Sequence, residues 1–242
     1  MIHADFNLIS VANNHIFDFG DETATRTIDY LTENGIRTAG IIEKPWDTIT
    51  VNKKLIGFTA FATNIGTMDM LDYSLLQKTV NELKNICDIV VVSFHGGAEG
   101  NNYKNVTREY EFFLDDNRGN VYEFAHRAID YGADLVLGHG PHVPRAIEIY
   151  NNKLIAYSLG NFCTYRKFNL SGANGYAPML KVEIDQSGNF VKGEIKSYIQ
   201  KGSGGPKPDK FENALKEIIR LTNEDFPNSK IKFFGNTFKL SN

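Results

Sequence analysis

The segment Leu8–Gly20, LISVANNHIFDFG, runs from an apolar stretch straight into Asn13, Asn14 and His15. A strand ordinarily gives way to turn chemistry such as Gly, Pro or a single Asn. A triplet of two amides and an imidazole in that place is a poor substitute unless those side chains are wanted. Two further apolar runs end the same way. IVVVSF, Ile89–Phe94, leads to His95 and two glycines; Leu135–Leu137 leads to Gly138, His139, Gly140, Pro141 and His142. In an open α/β sheet the carboxyl ends of the strands line the ligand crevice, so groups this far apart in sequence converge there. Four of the six histidines stand in such positions. The other two, His3 and His126, read as ordinary side chains.

Outward from these runs, short apolar stretches alternate with stretches of helical period, the pattern of a layered α/β protein. Strands are expected at Phe6–Val11, Lys54–Phe61 and Ile89–Phe94. A helix over Asp21–Asn34 places Ala24, Ile28 and Leu31 on one face and stops at Gly35. A second helix opens at Ser74, with Gln77 completing a capping box and Leu76, Val80 and Leu83 forming its buried stripe. After an irregular polar segment from Gly96 to about Asn105, aromatic-rich helical sequence runs to Tyr131, with a break near Arg118–Asn120 and a stop at Gly132. Beyond the brief strand Leu135–Leu137 the pattern changes to antiparallel hairpins: Arg145–Tyr150, an Asn151–Asn152 turn, Lys153–Leu159, Met179–Ile184, a Gly188 turn and Phe190–Ile199. Lys201–Asp209, KGSGGPKPD, has loop composition. A last helix is expected from Asp209, capped with Glu212, with Phe211, Ala214, Leu215, Ile218 and Ile219 on a docked apolar face. The expected class is α/β with α+β elements: one domain over residues 1–200, with residues 201–242 a linker and docked helix of the same domain.

Composition narrows the function classes. With 42% hydrophobic and 12% aromatic residues in 242, the chain can bury a core, and disorder as its main state is excluded. A net charge of -3 without a basic block lacks the electrostatic footprint of a duplex binder, so nucleic acid is not an expected partner. Cys87 and Cys163 lack Cys-x-x-Cys spacing and read as two small buried side chains rather than a disulfide or thiolate metal site. No window reaches the roughly 20 apolar residues of a membrane span, and the chain reads as soluble.

Neutral imidazoles are the commonest nitrogen ligands for Zn, Mn or Fe, and an amide oxygen can complete such a shell. Glycines beside His95 and His139 let backbone approach a ligand. Asp18, three residues after His15, either orients that histidine or caps the helix near Asp21. Glu99 either touches a substrate or is an exposed loop carboxylate without a partner. Ser158 and Asn161, in SLGNF, either line the same crevice or form the turn at Gly160.

The strings VANNHIFDFG, SFHGGAEG, GADLVLGHGPHVPRAIEIY and IAYSLGNF resemble the CapA-type poly-γ-glutamate capsule biosynthesis family, in order and spacing from Phe6 to about Ile184. The resemblance implies a layered calcineurin-like metallophosphoesterase sandwich. It implies Asn14 as a metal contact, His15 as the group facing a phosphoryl oxygen or leaving group with Asp18 behind it, and His95, His139 and His142 as metal ligands. His139 and His142 are separated by Gly140 and Pro141, where the family motif has one intervening residue. Asn13, Glu99, Ser158 and Asn161 are the expected substrate-side residues. The implied cofactor is a divalent ion, Mn, Zn, Fe or Mg, and the implied substrate is an anionic or phosphorylated polymer-related molecule, with other capsule-synthesis proteins as possible partners.

The family pattern also places two strands, one ending in Gly-Asp and one carrying a bridging oxygen ligand, ahead of the Asn-His motif. The only Gly-Asp here, Gly20 and Asp21, follows that motif. The expectation is therefore an N-terminally incomplete domain, short of carboxylate ligands, with an uncovered sheet edge suited to homo-oligomerisation. The family is often held at the outer face of the cell envelope by an N-terminal segment, and nothing in this sequence supplies one. Two functions follow: a metal-dependent phosphoester hydrolase of capsule synthesis, or a non-catalytic accessory protein of polymer assembly or export that keeps the fold.

Overall fold

A computed structural model describes residues 4–165 and 168–241, so His3 lies outside the described residues. In chain order the elements are β1 Leu8–Ser10, α1 Asp21–Glu33, β2 Arg37–Ala39, β3 Trp46–Val51, β4 Lys54–Ala62, α2 Tyr73–Ile86, β5 Ile89–His95, β6 Phe112–Phe113, β7 Asp116–Asn117, α3 Val121–Asp130, β8 Leu135–His139, β9 Ile147–Tyr150, β10 Lys153–Ala156, β11 Tyr176–Ile184, β12 Phe190–Gln200, β13 Pro206–Pro208, α4 Asn213–Asp225, β14 Ile231–Phe234 and β15 Thr237–Leu240.

Six strands form the central sheet in the order β3-β4-β5-β8-β10-β9. Its middle pairs, β4 with β5, β5 with β8 and β8 with β10, are parallel, while β3 and β9 join antiparallel at the edges. Alternating side chains serve two cores, as the period of a strand requires. Val90, Val92, Phe94, Val136 and Ile155 point to one face and pack with Leu76, Val80 and Leu83 of α2 and Phe124 and Ala128 of α3. Leu135, Leu137, Leu154 and Ala156 point to the other and meet Phe190, Ile195, Phe238, Leu215 and Ile218 from a second, antiparallel sheet and α4. That second sheet runs β11-β12-β15-β14, with β13 against β12.

The parallel pair β1–β2 packs against β4 on the face that Val91 shares. Small residues permit its close approach: a Cβ on Gly40 would stand 2.6 Å from the Ala12 Cβ and 3.1 Å from that of Ala60. Ala12, Ala39, Phe58, Ala60 and Ala62 form the resulting core. Among the described residues β1 pairs with β2 alone, leaving its other edge open.

Several local expectations need correction. The helix expected up to Tyr131 is only Val121–Asp130, and residues upstream form loops, a 3₁₀ turn at Asn101–Tyr103 and the β6–β7 hairpin. Asn120 caps α3 by accepting from the Glu123 amide, so helical aromatic spacing before it lost to turn chemistry. Asp72, rather than Ser74, caps α2: its carboxylate accepts from the Ser74 and Leu75 amides. Asp209 accepts from the Phe211 and Asn213 amides ahead of α4, while Glu212 sits in the left-handed region at φ 54° and makes no side-chain cap. Phe211 is exposed, and Leu221 takes its place on the docked face. The Lys201–Asp209 loop contains β13, and β2, β3, β14 and β15 are strands that short, mixed composition conceals. Cys87 is buried as expected, but Cys163 is exposed.

Candidate functional site

The parallel strands β4, β5 and β8 end at one edge in register. Ala62 lies opposite His95, and His95 opposite His139. Parallel partners face the same side of a sheet. The two imidazoles therefore point toward the layer that contains β1, whose continuation delivers Asn14 and His15. His142 stands beyond β8 in a left-handed conformation, φ 60°, which a residue other than Gly adopts at some cost. Its ring centroid is 6.4 Å from that of His95. The four histidines of the three runs thus come together, and His126 does not. That side chain bonds Glu148 at 2.9 Å and stacks on Tyr150, a structural arrangement on α3.

Hydrogen bonds sort the remaining residues. Asn161 is buried; its Nδ2 donates to the His142 carbonyl at 3.3 Å and the Asn174 carbonyl at 3.1 Å. With the amide oriented by those two bonds, its Oδ1 faces His142 Nδ1 at 2.8 Å. Nδ1 is then the donor in that bond, and Nε2 is left facing the crevice. Asp18 lies 2.9 Å from His15 Nδ1, and α1 has Gly20 at its N-cap without a side-chain bond, so Asp18 orients the histidine and does not cap the helix. Asn13 Oδ1 accepts from the His15 amide at 2.8 Å and its Nδ2 donates to the Val11 carbonyl at 3.3 Å, which shapes the turn. Ser158 is buried and donates to the Val143 carbonyl at 2.7 Å, a turn role that withdraws it from the crevice surface.

Glu99 is not a partnerless exposed carboxylate. It pairs with Arg118 Nη1 at 2.9 Å, and its other oxygen is 3.6 Å from His142 Nε2. Sequence reasoning missed Arg118 altogether, along with Arg145, which is fully buried and held bidentately by Glu111 at 2.7 and 2.8 Å. No local signal marks either arginine. An open cleft of about 660 Å³ borders the site, lined among others by His15, Asp18, Glu99, His142, Asn161 and Phe168.

Asn14 Oδ1 and His95 Nε2 are buried with no hydrogen-bond partner among the described residues, as are Asn174 Oδ1 and Arg118 Nε and Nη2 nearby. A buried acceptor left so is costly, and such exceptions point to a missing ligand or ion. Burial, then the charge of Arg118 and the neighbouring histidines, holds the His95 pKa well below the usual range. Burial brings His139 down to about 4. Both imidazoles are neutral near pH 7, the form that binds metal. Among the described residues, however, no three His, Cys, Asp or Glu side chains stand together so as to hold a metal ion. In type, the donor set of Asn14, His95, His139 and His142 suits one divalent ion of borderline softness, but as they stand these side chains are not grouped to hold one. The set does not fit a dinuclear pair, for which a bridging carboxylate supplies the charge compensation.

A helix-backed, partly parallel sheet facing a second layer, with histidines and an amide at the carboxyl edge between them, defines a calcineurin-like phosphoesterase fold. Solved structures with that architecture are similar in fold: a 5'-nucleotidase precursor from Thermus thermophilus, 13% identical with a TM-score of 0.50 over 92% of this chain and 43% of that one; and a Staphylococcus aureus candidate 5'-nucleotidase, 15% identical with a TM-score of 0.52 over 90% of this chain and 42% of that one. The chain belongs to the bacterial capsule synthesis protein PGA_cap family, whose model matches residues 1–166. It is 30% identical to the PGA biosynthesis protein CapA of Bacillus subtilis (strain 168) over 65% of its length and 42% of that protein's. It is 28% identical to the capsule biosynthesis protein CapA of Bacillus anthracis over 85% of its length and 50% of that protein's. The chain therefore spans half or less of these curated relatives. Among the described residues no helix is long and apolar enough to cross a membrane.

Proposed function

We propose that this chain serves capsule or exopolymer biosynthesis of the poly-γ-glutamate type through a metal-dependent site that acts on a phosphoester or anionic polymer-related substrate. The observation that carries this reading is the gathering of His15, His95, His139 and His142 beside one cleft, with Asn14 next to His15 in the chain and with Asn14 Oδ1 and His95 Nε2 buried and without a partner among the described residues. Asn14, His95, His139 and His142 would hold the ion, which supplies Lewis-acid polarisation of a phosphoryl oxygen. His15, oriented by Asp18 and exposed at the cleft, is placed to hand a proton to a leaving oxygen. Asn161 keeps His142 in one tautomer.

A second reading, a non-catalytic accessory protein of polymer assembly, is favoured by the absence among the described residues of a ready-made three-ligand cluster. One experiment separates the two: elemental analysis of the purified protein beside a His95→Ala/His142→Ala double variant, with hydrolysis of an aryl phosphodiester followed in added manganese. Metal held by the parent and lost by the variant, together with variant-sensitive hydrolysis, supports the enzyme. Metal-dependent binding without hydrolysis supports the accessory role, and a metal-free, inert parent rejects the metal site.

A further inference from the structure

Two buried arginines lie behind the histidine crevice, and they are used differently. Arg145 directs both terminal nitrogens at the Glu111 carboxylate, 2.8 and 2.7 Å away, with Nη2 also 3.2 Å from the Ala98 carbonyl. Its charge is answered in place by that carboxylate, although its Nε too is buried without a partner among the described residues. Arg118 is only 4% exposed, yet among the described residues its side chain bonds only Glu99, from Nη1 at 2.9 Å. Its Nε and Nη2 are both buried with no partner among the described residues. Those two nitrogens share one edge of the guanidinium plane, and their parallel N–H bonds form the fork that accepts a carboxylate or phosphate side-on.

The location ties this residue to the loop after His95. The Arg118 carbonyl accepts from the Gly97 amide at 2.8 Å, two residues past His95. A Cβ on Gly96 would stand 2.8 Å from that same carbonyl. Glu99, the one carboxylate on Arg118, lines the cleft with His15 and His142. After burial, the Arg118 charge is the foremost influence on His95.

We propose that Arg118 is a substrate-recognition residue of the crevice, its Nε–Nη2 edge receiving an oxyanion side-on while Glu99 holds the opposite end of the guanidinium. The inference rests on the reading of the crevice as a substrate site and names the chemistry recognised there: an oxyanion, a phosphoryl group or a carboxylate. The edge is buried as the chain stands, so an anion reaches it only when a neighbouring segment shifts.

The test is run on the whole chain in EDTA, so that it does not depend on metal. With arginine side chains ¹⁵N-labelled, the Arg118 Nε–H resonance, assigned by its loss in Arg118→Lys, is followed while inorganic phosphate and, separately, acetate are added. Lysine keeps the charge and the Glu99 pair but not the fork. The expected result is a saturable movement of that resonance, with phosphate affinity by calorimetry at least about tenfold weaker in Arg118→Lys. A larger response to phosphate assigns the phosphoryl source, and a larger response to acetate the carboxylate; both support the fork. A resonance unmoved by either anion, or equal affinity in Arg118→Lys, overturns the proposal. Should the lysine variant fail to fold, the parent resonance, then assigned through its coupling to the Arg118 chain, decides alone. Hydrolysis in manganese with KM unchanged in Arg118→Lys removes the fork and leaves the phosphoesterase reading standing. Phosphate bound at Arg118 in a chain that neither holds metal nor hydrolyses removes the phosphoesterase reading and leaves the fork.

Discussion

At the scale of single residues, the site depends on side chains that orient other side chains. Asn161 fixes His142 because two carbonyls fix Asn161. Groups that orient a ligating histidine typically account for about 10- to 100-fold in metal affinity. Asn161→Ala is therefore expected to weaken manganese or zinc binding by about that factor, read by competition with a chelating dye, with little change in far-UV circular dichroism. Asp72 offers a residue-scale check of the fold. Bonds from the Ser74 hydroxyl and the Leu75 and Ser74 amides lower its pKa. A carboxyl with a depressed folded pKa contributes stability above its unfolded pKa, and that contribution is lost as pH falls through the folded value. Asp72→Ala should thus lower the urea midpoint at pH 7, by a margin that narrows as pH drops below about 4. Asn14, His15 and the paired loop histidines were legible from sequence because each follows an apolar run. Arg118 was not, because its meaning comes from the bonds it lacks.

At the scale of elements, the strand ends carry the site. Gly140 has φ 120°, and an added Cβ would collide with the Gly96 carbonyl oxygen and stand 2.7 Å from the Gly96 nitrogen. The loops after β5 and β8 therefore touch backbone to backbone, which holds His95 beside His139 and His142. Gly140→Ala forces them apart. It should lower stability by at least about 1 kcal/mol in urea unfolding. Metal retention should fall with it, and a variant that unfolds earlier but binds metal as the parent does would separate the loop contact from the site. Helices α1 and α2 and strands β4, β5, β11 and β12 were readable to within a few residues, since each has a sustained period of 3.6 or 2. The segment before α3 misled because aromatic spacing mimicked a helix, whereas Asn120, Gly119 and the β6–β7 turn impose loop geometry.

At the scale of the whole molecule, α4 joins the two cores. Leu215 and Ile218 pack with the second sheet, and Leu221, on the same helix, packs with the α2 and α3 side. Leu215→Ala is expected to cost about 2–5 kcal/mol, as a buried leucine truncated to a cavity does. Trp46, the single tryptophan, lies on β3 against the other core. Its fluorescence midpoint should shift as far as the circular dichroism midpoint does in that variant. Separate shifts would mean that the two layers unfold independently.

The sequence by itself determined the class of layers, the three apolar runs that terminate in site histidines, and the Asn151–Asn152 turn, where both residues take positive φ at 48° and 63°. These are local properties, set by periodicity and turn chemistry within a few residues. Tertiary structure alone decided that His95 and His139 stand in register, that Glu99 answers Arg118, and that one edge of the Arg118 guanidinium has no partner among the described residues. Those facts join segments 19 to 44 residues apart. Side-chain pairing over such separations follows from strand order and loop packing, which no local period encodes.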